Sequence, residues 1–254
     1  MTGSFLRLRA GAVFVAVLGL GGCFKGFEPR GFRTSESLFA ASFDQLKRGK
    51  FENAAKGFEK LTLDLPARDP LLPVAYWYLA VTYDRREEHL FAAQNYQRLA
   101  ETFPDDSLAD DALLAAGNAY AAMWRTPELD PQYALLAQGT WRGLLTNYPE
   151  TSLREQVTKA IGQLEDKLAT KDYETGQHYL RRKAYDSAII YFKDVMKTYP
   201  ATPHARLAGM QLLLAYRAIR YGEEARELCE SMGKSYPQDA EVRTTCAPPA
   251  APPR

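Results

Sequence analysis

The sequence predicts an all-α fold, an α-solenoid of about five stacked helical hairpins. Two observations carry this. Five times an apolar or aromatic residue stands directly before proline: Leu65-Pro66, Phe103-Pro104, Tyr148-Pro149, Tyr199-Pro200 and Tyr236-Pro237. Each pair closes a segment whose apolar residues recur at spacings of three and four, the mark of one buried helical face, and proline cannot continue a helix. Repetition is the second observation. The segments carry the same residue types in the same order, which makes a repeat array rather than an assortment of helices.

The first unit has Gly49, Phe51, Ala54, Phe58 and Pro66, with a weaker leading helix. The second shows the whole pattern, with Tyr76, Leu79, Ala80 and Tyr83 on one helix and Ala92, Tyr96 and Leu99 on the next, before Pro104. In the third, Gly117 precedes Ala137, Trp141, Leu144 and Pro149. The fourth has Gly176, Tyr179, Tyr185, Ala188, Phe192 and Pro200, and the fifth Leu212, Tyr216, Ala225, Cys229 and Pro237. These residues resemble the tetratricopeptide repeat, a helical hairpin of about 34 residues. Small residues at Ala80, Gly117 and Gly176 let paired helices approach, and aromatics fill the space between hairpins. One hairpin cannot bury its apolar face alone, so stacking them makes a curved solenoid with a concave groove.

Two spacings exceed this period. Pro104 to Pro149 is 45 residues, with the excess in the turn-rich loop Thr126-Pro127-Glu128-Leu129-Asp130-Pro131. Pro149 to Pro200 is 51 residues, and the surplus carries Leu153, Val157, Ile161, Leu164 and Leu168 at helical spacing. The division that follows places repeats one to three at 35–149, a linking helix at 150–169, repeats four and five at 170–240, and a disordered Pro/Ala-rich tail at 241–254. Ala247 to Pro253 in particular has no means of folding alone.

At the other end, Arg7 and Arg9 precede the uncharged apolar run Ala10 to Leu20, which is too short for a bilayer span of about 20 residues. It reads as a secretory signal peptide over 1–22. Leu20-Gly21-Gly22-Cys23 is similar to the lipobox of bacterial lipoproteins, which implies that Cys23 is diacylated and begins the mature chain. Residues 23–34 then read as a lipidated tether. Cleavage would leave 232 residues carrying 30 Lys+Arg against 31 Asp+Glu, a balance that gives no support for nucleic-acid binding. Several acyl chains anchor firmly, and Phe24 rather than aspartate after the cysteine points to the outer membrane. Of the remaining cysteines, Cys229 falls on a face that should be buried and reads as a core thiol. An oxidising periplasm also permits a disulfide to Cys246.

No catalytic, cofactor or metal constellation is visible. His89, His178 and His204 lie far apart, without Cys or carboxylate ligands at metal-site spacing. There is no G-x-x-x-x-G-K-S/T run and no nucleophile elbow around any serine. Asp105-Asp106, Asp110-Asp111 and Glu223-Glu224 sit where carboxylates favour a helix N-terminus, and Arg181-Arg182-Lys183 reads as a solvated corner.

Over roughly 36–240 the chain resembles the BamD family, the outer-membrane protein assembly factor lipoproteins. The resemblance rests on Asp130-Pro131-Gln132-Tyr133-Ala134, Ala137, Trp141, Leu144 and Tyr148-Pro149-Glu150-Thr151-Ser152, loop and helix included. A second match runs through Leu168-Ala169, Asp172, Tyr179, Arg182, Tyr185 and Ala188 to Tyr199-Pro200-Ala201-Thr202. The chain departs from the family at Leu135 and Gln138, where an Arg and an aromatic are usual, and at Tyr191, where a family Arg contacts the barrel partner.

What the resemblance implies is a non-enzymatic periplasmic scaffold of the outer-membrane β-barrel assembly complex, without a cofactor. The C-terminal repeats would dock the periplasmic domains of a BamA-like barrel subunit, through a segment containing Tyr179, Arg182, Tyr185 and Tyr191. The N-terminal repeats would receive the C-terminal signal of unfolded outer-membrane proteins. Repeat register places Val74, Trp77, Val81 and Asp84 of the second unit, with Phe39 and Phe43 of the first, on the concave face as a peptide groove with Asp84 or Glu36 at its rim. Apolar patches of this kind mark binding sites, although the same rings could instead pack between hairpins. A tetratricopeptide adaptor of the Tol–Pal system, or a lipoprotein serving cell-wall enzymes, would share the repeats. The former usually has an N-terminal coiled coil, and residues 24–34 hold no heptads.

Overall fold

The structure, a computed structural model, describes residues 26–247. The signal peptide, Cys23 and residues 248–254 lie outside the described residues. Five hairpins follow one another: α1 (Ser35–Lys47) with α2 (Phe51–Asp64), α3 (Leu71–Arg85) with α4 (His89–Thr102), α5 (Ala109–Met123) with α6 (Gln132–Asn147), α7 (Arg154–Arg181) with α8 (Tyr185–Thr198), and α9 (Pro203–Ala218) with α10 (Gly222–Ser235). A short α11 (Ala240–Cys246) follows. Each helix packs chiefly on its neighbours in the chain. That one-dimensional order makes the molecule an α-solenoid of helical hairpins.

The proline landmarks end helices for a local reason. Leu65, Phe103, Tyr148, Tyr199 and Tyr236 are the C-cap residues of the second helix in the five hairpins, and each has left helical backbone angles. A following proline ring clashes with a helical conformation of the residue before it. Each cap N–H still donates to the carbonyl four residues back, at Leu61, Leu99, Leu144, Val195 and Met232. The Tyr148 hydroxyl also donates to the Pro104 carbonyl at 2.9 Å, tying one landmark to the previous one.

Four of the five hairpins turn through a residue with positive φ: Gly49 at 71°, Glu87 at 61°, Lys183 at 60° and Arg220 at 62°. Only the first is glycine, so sequence alone marks one turn of four. A side chain in the left-handed region costs about 1–2 kcal/mol, partly offset because glycine loses more chain entropy on folding. Glu87→Gly is therefore expected to raise stability by about 0.5–1 kcal/mol, read as a higher urea midpoint. The third hairpin turns instead through the 124–131 loop.

Inside the hairpins, helices meet at small residues. A Cβ on Gly117 would lie 2.1 Å from Trp141 Nε1, and one on Gly176 would lie 2.6 Å from the Phe192 ring. Trp141 uses the closeness to donate from Nε1 to the Leu114 carbonyl at 3.3 Å. The core forms two clusters. The larger runs from Ala80 to Val242, and the smaller joins Leu38, Ala54, Ala55, Phe58, Leu61, Ala75 and Leu79.

Several sequence expectations change. Residues 150–169 and 170 onwards are not separated: the linking segment and the leading helix of the fourth hairpin are one 28-residue helix, α7. The tether is not wholly free of structure either. Pro29–Gly31 forms a 3₁₀ turn, and Phe27 and Phe32 pack on the smaller cluster. The disordered tail assigned from residue 241 is corrected, since 240–246 are helical and Val242 is fully buried. Cys229 is not a free core thiol but is bonded to Cys246 across a separation of 17 residues. Its partner lies on α11, a helix the composition of the tail concealed.

Asp239 caps α11, accepting from the N–H groups of Glu241 and Val242 at 3.0 Å each. Arg206 of α9 donates to the same carboxylate and also pairs with Glu241. The Arg206 guanidinium, with the Val242 N–H, holds the Asp239 carboxyl well below the usual carboxylate range. Its contribution is complete above the unfolded value of about 3.9 and is lost as pH falls from there through the lowered folded value. The protection of α11 amides, taken relative to their intrinsic exchange rate at each pH, is expected to fall below about pH 4, and Asp239→Asn to abolish most of that acid dependence.

Candidate functional site

The predicted groove residues lie on α1 and α3, the leading helices of the first two hairpins, and the structure divides them. Phe39 and Phe43 stack at 6.4 Å and meet Tyr78 of α3 edge-on at 5.8 and 4.9 Å. Phe39 also lies 5.6 Å from Phe58 of α2. Lys47 places its ammonium 5.1 Å from the Phe43 centroid, a contact that favours a cation. Trp77 turns towards the second hairpin, T-shaped against Tyr96 at 5.2 Å, and packs with Val81 on the larger cluster. Phe39, Phe43, Val74, Trp77 and Val81 are each half-buried, and Asp84 is exposed.

These rings therefore join hairpins as well as presenting an edge to solvent. Tyr78, absent from the register-based reading because it falls between pattern positions, is the residue that links α1, α2 and α3. Asp84 is not an isolated rim charge, because His89 Nδ1 lies 2.7 Å from its carboxylate. Glu36 sits in the first turn of α1. Its own backbone N–H and the Thr34 hydroxyl hold its carboxyl below the usual range.

The second predicted segment centres on an aromatic pair. Tyr179 of α7 and Tyr191 of α8 stack with centroids 5.5 Å apart and planes 16° apart. Tyr191 thus packs across its own hairpin. Tyr185 opens α8 and is half-buried, while Arg182 is exposed at the α7 C-cap beside the positive-φ Lys183. Nearby, burial and the proximity of Asp194 push the Asp172 carboxyl up. Burial, with Asp172 and Asp194, pushes the Tyr199 hydroxyl up to about 12.

Between the two segments lies the inserted loop, and the long helix holds it. Lys171 of α7 donates to the carbonyls of Pro127 at 2.6 Å and Leu129 at 3.0 Å, and the buried Trp124 indole donates to Leu129 at 3.3 Å. The loop leaves the Leu129 side chain exposed. Lys171→Met is expected to release this loop and speed limited proteolysis within 125–131 several-fold, because loop opening is what a protease requires. Gln138 is buried and donates to Glu165 at 2.9 Å, and Arg142 reaches the same carboxylate at 2.7 Å. Together they form a polar clamp from α6 to α7.

Among the described residues no group of His, Cys, Asp and Glu is placed to hold a metal ion, and no helix is long and apolar enough to cross a membrane. A stack of helical hairpins, each packed on the next, defines a helical-repeat protein. The chain belongs to the YfiO family of outer membrane lipoproteins, whose family model matches residues 33–231. The proteins it is similar to include three named outer membrane protein assembly factor BamD. That of Caulobacter vibrioides is 24% identical over 82% of this chain and 68% of its own length. That of Rickettsia prowazekii is 22% identical over 89% and 90%, and that of Neisseria gonorrhoeae 24% over 80% and 79%. Among solved structures, the MamA protein shares 13% identity, with 86% of this chain and 98% of that one covered at a TM-score of 0.37.

Proposed function

We propose that the protein is the lipid-anchored periplasmic scaffold of the outer-membrane β-barrel assembly complex. Membership of the outer membrane lipoprotein family over residues 33–231 carries the reading, and full-length relatives named as assembly factors support it. In this reading Cys23 bears the lipid. The α7–α8 segment with Tyr179, Arg182, Tyr185 and Tyr191 docks the periplasmic domains of a BamA-like barrel subunit. Since Tyr191 cannot supply a guanidinium, that contact relies on stacking surface and on Arg182 instead.

The N-terminal hairpins take the C-terminal signal of an unfolded barrel protein, an extended segment ending in an aromatic residue. The half-buried edges of Phe39, Phe43 and Trp77, with Val74 and Val81, offer apolar surface for its side chains, and Lys47 lies beside Phe43 to meet a terminal carboxylate. Affinity purification of the tagged lipoprotein from detergent-solubilised envelopes tests the whole reading, with Cys23→Ala as the unanchored control. Recovery of a large barrel protein with repeated periplasmic domains at near-equal stoichiometry is the expected result. Cell-wall enzymes or Tol–Pal components in its place would overturn it. For the groove, Trp77→Ala is expected to weaken binding of a barrel C-terminal peptide about tenfold in a titration, in line with loss of an aromatic anchor. Because the ring also packs on Tyr96, the variant's unfolding midpoint is measured alongside. Unchanged affinity in a folded variant removes the groove assignment.

A further inference from the structure

The fifth hairpin breaks the packing rule of the other four. Seven residues before the positive-φ turn residue, the first, second and fourth hairpins place Ser42, Ala80 and Gly176, but the fifth places Leu213. Four residues after the small residue of the second helix, the first four hairpins place Phe58, Tyr96, Trp141 and Phe192. The fifth, after Ala225, places Cys229. A leucine thus stands where helices should touch, and a sulfur stands where a ring should fill the gap. One turn away, a Cβ on Gly209 would lie 2.7 Å from the Met232 sulfur, the end of a flexible side chain. The contact of α9 with α10 is thinner than in the other hairpins. A cleft of about 410 Å³, lined in part by Met196, Leu212, Tyr216 and Leu228, opens between α8, α9 and α10.

What closes this hairpin is α11. Its sulfur at Cys246 bonds Cys229 of α10, with Cα atoms 5.3 Å apart. On the other side it is held by α9: Arg206 pairs with Asp239 and Glu241, and Arg217 donates to the Thr245 carbonyl at 2.7 Å. Val242, on α11 itself, is fully buried. Seven residues are far too few for a helix to persist alone in water, so α11 exists by virtue of these ties.

We propose that Cys229 and Cys246 form an oxidation-set lock on the C-terminal end of the solenoid: the disulfide makes α11 a strap across α9 and α10, and the dithiol form releases it. In closing, the two thiols give up two protons and two electrons. A disulfide-bearing oxidant of the thiol–disulfide exchange class accepts them and leaves as two thiols, by way of a mixed disulfide. The lock stands on the geometry of the last hairpin and is independent of what the scaffold binds.

The test uses the full-length lipoprotein in detergent, oxidised and after treatment with a phosphine reductant. Alkylation with mass analysis reports the thiols, and hydrogen exchange reports each helix. Cys229 and Cys246 are expected to alkylate only after reduction. Exchange over 240–246 then rises about a hundredfold, the effect of opening a loop of this length. It rises less over 222–235 and stays unchanged in the first four hairpins. Oxidised glutathione, added afterwards, restores protection. Unchanged exchange in α11 on reduction overturns the lock, and so does an equal rise along the whole chain, which would make the bond a general staple. Cys246→Ser is expected to reproduce the reduced protein. Reduction acts on the already folded native chain, so the test stands even where that variant fails to fold.

Discussion

Gly117→Ala is expected to destabilise the protein by about 3 kcal/mol or more, even though alanine is the better helix former. Its Cβ would fall 2.1 Å from Trp141 Nε1 and 2.4 Å from Cδ1, against a ring that is itself buried. Overpacking a core of this kind costs about 1–3 kcal/mol. Moving the indole would also break its bond to the Leu114 carbonyl and strand a buried donor, at about 1–3 kcal/mol more. Gly143→Ala in the same hairpin is the control. Nothing lies within 4 Å of the Cβ it would add, so it should gain up to about 1 kcal/mol from helix propensity alone. Urea denaturation of the pair reads the contrast. Two variants of similar stability would mean that α5 and α6 do not meet at Gly117.

Phe192→Ala is expected to cost about 3–5 kcal/mol, the usual effect of emptying a ring-sized site in a packed core. Phe192 is fully buried, lies over Gly176 and sits 5.8 Å from Tyr173. Its loss should free α8 from the C-terminal half of α7. Because hairpins in a solenoid contact only their neighbours, hydrogen exchange should quicken in α7, α8 and α9 while the first two hairpins keep their protection. Ile190→Ala, on the same helix but largely exposed, should stay within about 0.5 kcal/mol of the parent. Uniform loss of protection along the chain would instead show the solenoid to unfold as one unit.

The readable part of this protein has a pattern to it. Helix ends at Leu65, Phe103, Tyr148, Tyr199 and Tyr236 were legible because a proline restricts the residue just before it. The close approaches at Gly117 and Gly176 were legible because a missing Cβ has few other uses inside a helix. The turns at Glu87, Lys183 and Arg220 were not, since stacking imposes their left-handed backbone on residues that do not ask for it. Residues proposed for the groove could be assigned to the leading helices of the first two hairpins, α1 and α3. Their exposure could not, because Tyr78 and Tyr96 reach them from other helices.

The family-specific features divide in the same way. The inserted loop and long helix are visible as excess length between prolines, but the Lys171 tie that joins them spans some 40 residues of chain. Gln138 carries no sign in the sequence of its partner Glu165, which lies 27 residues on, across the α6–α7 interface. Cys229 reads as a core thiol because its own helix is amphipathic, while its partner sits in a seven-residue segment that runs straight into the Pro/Ala tail.

By itself the sequence determined the helical content, the helix ends marked by proline, the repeat class and the lipoprotein family, because periodicity, proline and glycine act within a turn or two of chain. Only the tertiary structure decided which rings join hairpins and which face solvent, that α7 is continuous, and that a disulfide straps the last hairpin. Those outcomes depend on which distant segments come within a few ångströms of each other, and no local rule contains that distance.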